Sequence, residues 1–210
     1  MSGRQQHWEN VYGTKAADQV SWFRPHLEKS LRWIERYLPD RDARVIDVGG
    51  GESTLVDDLI AGGYRRVTVL DISLRAINAA RARVGERGVG VEWMAADVTA
   101  ASLPAGSYDL WHDRAVFHFL TAAQERRAYI ERVRHAVKHG GYVIVATFGP
   151  EGPPKCSGLD VCRYDAVSLG REFGENFRLV ESLKEDHQTP FGTSQQFVYC
   201  CLIFEPAITA

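Results

Sequence analysis

The sequence has no long hydrophobic run, no marked excess of charge of either sign and few cysteines. No apolar stretch approaches the roughly 20 residues that a helix needs to span a bilayer. The opening MSGRQQHWENVYG has neither the apolar segment nor the small-residue cleavage site of a secretion signal. A net charge of -2 provides no general attraction to nucleic acid or to an anionic membrane. We therefore expect a cytoplasmic protein that binds neither nucleic acid nor a membrane.

The 4 cysteines form neither a CxxC pair nor a cluster with histidines. Cys156 and Cys162 flank a loop, whereas Cys200 and Cys201 are adjacent in an apolar segment, where a strand would point them to opposite faces. This spacing is typical of reduced thiols rather than of a disulfide or a metal site. We therefore expect no bound metal.

Strand-like and helix-like segments alternate along most of the 210 residues. Strands are predicted at Arg44–Val48, Val67–Leu70, Val91–Met94, Tyr108–Trp111 and Tyr142–Phe148, with helical spacing between them, for example at Ser53–Ala61. Such alternation is typical of a mostly parallel sheet with helices on both faces. The last predicted strands, Phe177–Lys184 and Phe197–Phe204, lack a crossover helix and should pair antiparallel. We predict an α/β fold of three layers, a doubly wound sheet ending in an antiparallel hairpin, in a single domain over residues 1–210.

Local signals also predict where several elements begin and end. Ser73 is expected to cap a helix, and Thr121 with Gln124 has the spacing of a capping box. Gly140 and Gly141 are expected to end that second helix before the strand that follows.

The stretch VIDVGGGES, residues 45–53, places a glycine-rich turn directly after the first predicted strand. In an open α/β sheet this is where ligands bind, and glycines let the backbone approach them closely. A dinucleotide fingerprint requires a small residue where this chain has Thr54, and Glu52 would repel a pyrophosphate. Asp47 instead suits a cationic ligand. The loop therefore favours S-adenosylmethionine, which carries a sulfonium and an ammonium, over a dinucleotide.

Two further carboxylates end the next predicted strands. Asp71 lies twenty residues beyond Gly51, where an acid can accept hydrogen bonds from ribose hydroxyls in either ligand class. Asp97 is placed to accept from an adenine amino group while Val98 covers the ring. Acids on successive strand ends point to an adenosine-containing ligand.

The combined pattern resembles the class I S-adenosylmethionine-dependent methyltransferases over roughly residues 40–205. The segments that carry the resemblance are VIDVGGGES (45–53), VLDIS (69–73), AADV (95–98), YDLWHDRAVFHFL (108–120) and HGGYVIVATF (139–148). The resemblance implies a Rossmann-like core and S-adenosylmethionine as cofactor, with S-adenosylhomocysteine as product. Where the family often has a further glycine, this chain has Ser53, which can cap the following helix.

The resemblance also implies roles for individual residues. Asp47 and Gly49, Gly50 and Gly51 would contact the methionine part of the cofactor, and Asp71 would bind the ribose. Ile72, Asp97 and Val98 would surround the adenine, and Asp113 and Arg114 would lie by the methionine end and the acceptor.

The N-terminal residues 1–26 are expected to form a lid, because HWENVYGTKAADQVSWF (7–23) resembles segments that fold over the cofactor in methyltransferase-like proteins. By this analogy Trp8, Tyr12 and Trp22 would line or close the site. Their alternative role is packing within an N-terminal helix.

The acceptor side is expected near the residues that follow the fourth predicted strand. Catalytic candidates there are His112, Arg114 and His118, and either histidine could act as a general base or as a hydrogen-bonded structural residue. The Pro- and Gly-rich loop 148–164 is expected to cover the acceptor pocket, with Cys156 and Arg163 facing it. His187 and Gln188, in the predicted turn before the last strand, are weaker candidates.

Several functions remain open on sequence alone. The favoured one is methyl transfer to a small-molecule acceptor, by a monomer or homodimer. A protein-lysine methyltransferase, a nicotinamide-dependent oxidoreductase and a cofactor-binding protein without turnover are the alternatives.

Overall fold

The computed structural model describes residues 2–206, and a sheet of 7 strands organises them. The strands are β1 Arg44–Val48, β2 Arg66–Asp71, β3 Val91–Ala95, β4 Tyr108–Arg114, β5 Val137–Phe148, β6 Lys155–Cys156, β7 Leu159–Asp160, β8 Phe177–Gln188 and β9 Ser194–Phe204. The α-helices are α1 Gly3–Thr14, α2 Glu28–Tyr37, α3 Leu55–Ala61, α4 Leu74–Val84, α5 Ala123–Ala136 and α6 Ala166–Phe173, with single 3-10 turns at Ala17–Gln19, Gly85–Gly88 and Phe117–Phe119.

The strand order in the main sheet is β3-β2-β1-β4-β5-β9-β8. Neighbours from β3 to β5 are parallel, whereas β9 runs antiparallel to both β5 and β8. The chain order reverses between β1 and β4, so the carboxyl ends of these strands form the switch point at which such sheets bind ligands. The predicted fold class is confirmed.

Each face of the sheet is covered by its own buried apolar cluster. One contains Trp111, Tyr129 and Cys200, and the other contains Ile34 and Cys201. Cys200 and Cys201 therefore face opposite sides of β9, as predicted, because successive side chains alternate along a strand. All 4 cysteines are free.

The end of α5 and the start of β5 differ from the prediction. The helix ends at Ala136, and the strand already begins at Val137, so Gly140 and Gly141 lie within β5. The pairing with β4 shifts in register between Tyr108 and Leu110. Gly140 has a φ of +77°, a conformation that glycine supplies at a β-bulge without steric cost. The glycine pair therefore shapes an irregularity inside a strand instead of ending a helix.

Of two other predicted helix starts, one is confirmed and one differs for a local reason. Ser73 caps α4 as expected, since its Oγ accepts a hydrogen bond from the amide of Ala76 at 3.2 Å. The predicted capping box of α5 does not form, because the N-cap is Ala122, one residue after Thr121, and alanine has no side-chain acceptor. Glu125 makes only the return bond, accepting from the amide of Ala122 at 3.4 Å. The carbonyl of Thr121 is instead held by Arg126 at 2.8 Å.

None of the helices formed by residues 2–206 is long and apolar enough to cross a membrane.

A buried hydrogen-bonded chain ties α5 to the sheet. The Tyr129 hydroxyl donates to Asp113 Oδ2 at 2.6 Å and accepts from the Trp111 indole at 2.9 Å. Asp113 Oδ1 and Oδ2 also accept from the amides of Val116 and Phe117 at 2.8 and 3.0 Å. Burial raises the pKa of Asp113 to about 6, and the Tyr129 hydroxyl counteracts that rise.

Replacing Tyr129 by Phe should lower the free energy of unfolding by about 1–3 kcal/mol, because it leaves a buried carboxyl and an indole N–H short of a partner. Urea denaturation at neutral pH measures this change. Tyr142→Phe is the matched control, since its hydroxyl makes no hydrogen bond to any of residues 2–206. Equal stability of the two variants would contradict this account.

Candidate functional site

A cavity of about 730 Å³, its mouth included, opens at the carboxyl ends of β1 to β4. Its floor is formed by the ends of these strands and the residues after them, and its roof by α1 and the segment up to Trp22. Of the residues predicted from sequence, this cavity brings together Trp22, Gly49, Asp71, Ile72, Asp97, Val98 and Arg114. A second cavity of about 550 Å³ adjoins it and contains Asp47, Gly50 and His112.

The glycine loop is held against β2 by its own backbone. The amides of Gly49 and Gly50 donate to the Leu70 carbonyl at 2.7 and 3.2 Å. Gly49 has a φ of +69°, and a Cβ there would lie 2.0 Å from Val116. Position 49 thus requires glycine both for its backbone conformation and because Val116, just after β4, approaches it closely.

Gly51 lies close to the side chains of Tyr12 and Asp71. Its φ is +46°, and a Cβ there would lie 2.7 Å from the Tyr12 hydroxyl and 3.2 Å from Asp71 Oδ2. Burial, followed by the negative charge of Asp71, raises the pKa of Tyr12 well above its usual range. The side chains of Tyr12 and Asp71 therefore meet over the glycine loop.

Asp71 is a buried carboxyl with few protein donors. Its Oδ1 accepts from the amide of Ser73 at 2.8 Å. Burial is the main cause that raises its pKa to about 7, and the negative charges of Asp47 and Glu9 add to it. Ligand hydroxyls that donate to this carboxylate would stabilise its charged form.

Asp97 lies at the end of the first cavity that the apolar Ile72 and Val98 also line. Its Oδ1 accepts from the Thr99 amide and hydroxyl at 2.9 and 2.7 Å. Its Oδ2 lies 3.9 Å from Arg4 Nη1. This end combines two apolar surfaces with an acid and a guanidinium. Sequence reasoning missed Arg4, because an isolated arginine near the N-terminus has no motif.

His112 orients Asp47 in the wall of the second cavity. These side chains face each other from paired positions of β4 and β1, with His112 Nδ1 2.7 Å from Asp47 Oδ1. Since a carboxylate only accepts, Nδ1 carries a proton. His112 Nε2 lies 2.9 Å from the Ser30 hydroxyl. Both ring nitrogens are therefore engaged, which argues against His112 as a free general base.

Arg114 lines both cavities. It is the last residue of β4, not a loop residue, and its side chain follows that of His112 on the same face. Its Nε donates to the Tyr199 hydroxyl at 2.9 Å and its Nη1 to the Trp22 carbonyl at 3.0 Å. Its Nη2 is buried without a hydrogen-bond partner among residues 2–206. Arg114 is thus held firmly, and its Nη2 group remains without a partner within the described part of the chain.

Three predicted site residues, Gly51, Asp113 and His118, line neither cavity. Asp113 points to the opposite face of β4, where it caps the turn after the strand. His118 is fully buried, and its Nδ1 accepts from the Phe148 amide at 3.2 Å. Burial, followed by the positive charge of Arg114, lowers the pKa of His118 to about 3. The geometry therefore favours the structural alternative for His118, since such a ring does not take up a proton near neutral pH.

The backbone turns sharply after Arg114. Ala115, which also lines the first cavity, has a φ of +74°. This region is costly for a residue with a Cβ and often marks a functional site.

Aromatic side chains form the roof of the first cavity. The ring of Trp8 lies 5.8 Å from that of Trp22, 5.1 Å from that of Phe119 and 6.0 Å from that of Tyr12. These rings pack edge-on or tilted against one another, and together they form an apolar wall between the N-terminal segment and the loop after β4.

The loop after β5 contributes one residue to this wall. Cys156, in β6, lines the first cavity, and burial raises the pKa of its thiol to about 11. Arg163 instead donates to the carbonyls of Pro150 and Gly152 at 3.0 and 3.1 Å, so it holds the loop together. His187 and Gln188 belong to β8 and not to a turn, and neither lines a cavity.

Comparisons with known proteins agree with this geometry. Residues 45–141 match the sequence model of the family described as "Methyltransferase domain". The human protein named EEF1A lysine methyltransferase 2 is 20% identical over 195 residues, which cover 86% of this chain and 77% of that protein.

Solved structures share the fold. The N-methyltransferase NodS from Bradyrhizobium japonicum WM9, in complex with S-adenosyl-L-homocysteine, superposes with a TM-score of 0.71 at 17% identity, over 94% of this chain and 98% of that one. The 1,6-didemethyltoxoflavin-N1-methyltransferase from Burkholderia thailandensis, with bound 1,6-didemethyltoxoflavin and S-adenosylhomocysteine, superposes with a TM-score of 0.69 at 17% identity, over 96% and 84% of the two chains.

Gly51→Ala should weaken binding of S-adenosylhomocysteine by about tenfold or more, since the added Cβ displaces Tyr12 and Asp71. Gly106→Ala is the matched control, because Gly106 has a similar φ of +50° and nothing within 4 Å of its Cβ position. The control should lose about 1–2 kcal/mol of stability but keep its affinity. Calorimetric titration measures both affinities, and equal losses would attribute the effect to backbone strain alone.

Asp71→Asn should make the ligand-free protein less sensitive to pH. The folded-state pKa of about 7 lies well above the usual value for an aspartate, so Asp71 stabilises the fold only while protonated, and that contribution is lost as the pH rises through 7. Relative to Asp71→Asn, the wild type should lose on the order of 3 kcal/mol between pH 5 and pH 8. Denaturant titrations at the two pH values measure this difference, and a constant offset would contradict it.

Proposed function

We propose that this chain, a class I S-adenosylmethionine-dependent methyltransferase, transfers the methyl group to a small molecule whose reacting atom is neutral or anionic. The observation that carries this proposal is the position of Arg114, whose side chain lines both cavities.

The residues of the two cavities fit the cofactor. The paired apolar side chains of Ile72 and Val98 beside Asp97 suit an adenine ring, and the buried Asp71 suits ribose hydroxyls. Asp47, held by His112, faces the second cavity and suits the ammonium of the methionine part. The glycine loop, where Cβ atoms would collide, provides a backbone cradle beside them. Asp113 would act indirectly, by holding the turn that carries Val116 into the wall.

The acceptor end is the part of the first cavity between the aromatic roof and Arg114. Besides Arg114, the charged side chains that line this cavity are Arg4, Asp71 and Asp97. The two acids belong to the ends of β2 and β3, where the adenosine would bind. A lysine acceptor enters as an ammonium and must lose its proton before its nitrogen can attack, and at the acceptor end it would meet a guanidinium and no carboxylate to take that proton. An apolar or aromatic acceptor with a neutral or anionic nucleophile fits this wall better.

Among residues 2–206, neither of the two predicted histidines is a free base at the acceptor end. Both nitrogens of His112 are bonded, and His118 has a pKa of about 3. The cofactor, when bound, supplies an already activated methyl group on its sulfonium. The chain's own contribution is to align the acceptor, exclude water with the aromatic roof and stabilise negative charge at Arg114. The acceptor would thus react as an anion or lose its proton to water.

One observation favours a different acceptor class. The human relative that aligns with 86% of this chain is named as a lysine methyltransferase. A protein lysine is therefore the second candidate, and a cofactor-binding protein without turnover is the third.

The deciding experiment incubates the protein with S-adenosylmethionine carrying a tritiated methyl group and a lysate of the organism that encodes the chain. We expect label in the small-molecule filtrate. Label retained on protein would favour the lysine reading, and tight binding of S-adenosylhomocysteine without any labelled product would favour the third candidate.

Arg114→Gln should reduce the labelled small-molecule product by about tenfold or more, because it removes the charge that stabilises the nucleophile. Arg114→Lys keeps the charge and should retain more activity than the Gln variant. An unchanged or higher yield with Gln would contradict an anionic acceptor, since it would show that the positive charge does not help the acceptor to bind or ionise.

A further inference from the structure

The tip of the β8–β9 hairpin contacts the N-terminal segment that roofs the site. On β8, Glu185 and His187 are buried, whereas Asp186 between them is exposed. Glu185 Oε1 accepts from Arg24 Nη2 at 3.0 Å, and the Glu185 side chain is only 5% exposed. His187 Nε2 donates to the Ser21 carbonyl at 2.8 Å. Residues 160 or more positions apart in sequence are therefore joined by buried polar contacts.

The end of β4 supplies a third contact to the same segment. Arg114 joins the Trp22 carbonyl to the Tyr199 hydroxyl. Its guanidinium lies 4.6 Å from the centre of the Phe197 ring, and the His187 ring lies 5.9 Å from the same ring between centres. Burial raises the pKa of Tyr199, the charge of Arg114 opposes that rise and the charge of Glu185 adds to it, so the three side chains lie close together. The segment is thus held at Ser21, Trp22 and Arg24 by one polar cluster.

If the cluster served only to stabilise the fold, its buried polar groups would cost more free energy than they return. Glu185 Oε2 and His187 Nδ1 are buried without partners among residues 2–206, and unsatisfied buried polar groups cost free energy. Ion pairs with one buried partner seldom add net stability over an apolar pair. What the cluster does provide is one defined position for the segment, since each contact has a direction. That segment contains Trp22, which lines both cavities.

We propose that Glu185 and His187 are positioning residues for methyl transfer. They hold Ser21 and Arg24, so that Trp22 and Arg114 stay together in the wall common to both cavities. The inference rests on the proposed function at one point: it assumes that the cofactor and the acceptor meet at that common wall.

Hydrogen exchange of the peptide spanning residues 16–27, with and without S-adenosylhomocysteine, tests the proposal directly. Glu185→Gln should raise exchange in this peptide by about fivefold or more, because it removes the charge that holds Arg24. Calorimetry should show affinity for S-adenosylhomocysteine weakened by about tenfold. Asp186→Asn is the matched control, since it removes the same charge from the exposed neighbour, and it should change neither quantity.

His187 offers a test of contact geometry rather than of charge. His187→Gln keeps an N–H that can reach the Ser21 carbonyl and should preserve protection of the 16–27 peptide, whereas His187→Leu should lose it. Wild-type exchange in both Glu185→Gln and His187→Leu would overturn the proposal. So would a lower melting temperature with uniform exchange changes throughout the chain, which would indicate a merely structural role.

The outcomes separate this inference from the proposed function. If the wild type fails to bind S-adenosylhomocysteine, the cofactor assignment fails, while the exchange data from the unliganded variants still decide whether the hairpin holds the segment. If binding is normal but the variants keep their protection, the positioning role fails and the cofactor assignment stands.

Discussion

Parallel pairing of β1 with β2 and β4 brings the carboxylates of Asp47 and Asp71 to one edge of the sheet. The residues around this edge are arranged to hold these buried acids. Asp47 lies directly opposite Val69 on one side and His112 on the other. Asp71 ends β2 with a pKa raised by burial and by the charge of Asp47. Each acid is retained by a specific partner, an imidazole for Asp47 and the Ser73 amide for Asp71. Since buried like charges repel, this edge is suited to a ligand that brings positive charge and hydroxyl donors.

The positions of the acids and glycines at this edge of the sheet could be predicted because they follow from local rules. Carboxyl ends of parallel strands share an edge, and a glycine turn after a strand marks a close backbone approach. The roles of the histidines could not be predicted in this way. His112 lies within β4 instead of after it, and its partner Ser30 belongs to α2. Whether a histidine is free depends on contacts made by distant segments.

Element ends show the same division between local and distant causes. The Ser73 cap depends on neighbouring residues and was predicted correctly. The longer β8 and β9 depend on each other, because their pairing continues from Phe177 opposite Phe204 to Gln188 opposite Ser194. Polar residues near the tip weaken the strand pattern in sequence, yet the alternation of buried Glu185 and His187 with exposed neighbours is that of a strand. Their burial is provided by the N-terminal segment, which no local pattern reveals.

The left-handed backbone of Ala115 has a consequence for how the site can change. A glycine at this position would adopt the same φ without strain and would also release the rotational restriction that a Cβ imposes on Arg114 and Val116. Ala115 therefore costs some folding stability, and it narrows the range of directions in which Arg114 can point. Selection for a more stable chain and selection for a more discriminating one would act on this single methyl group in opposite senses.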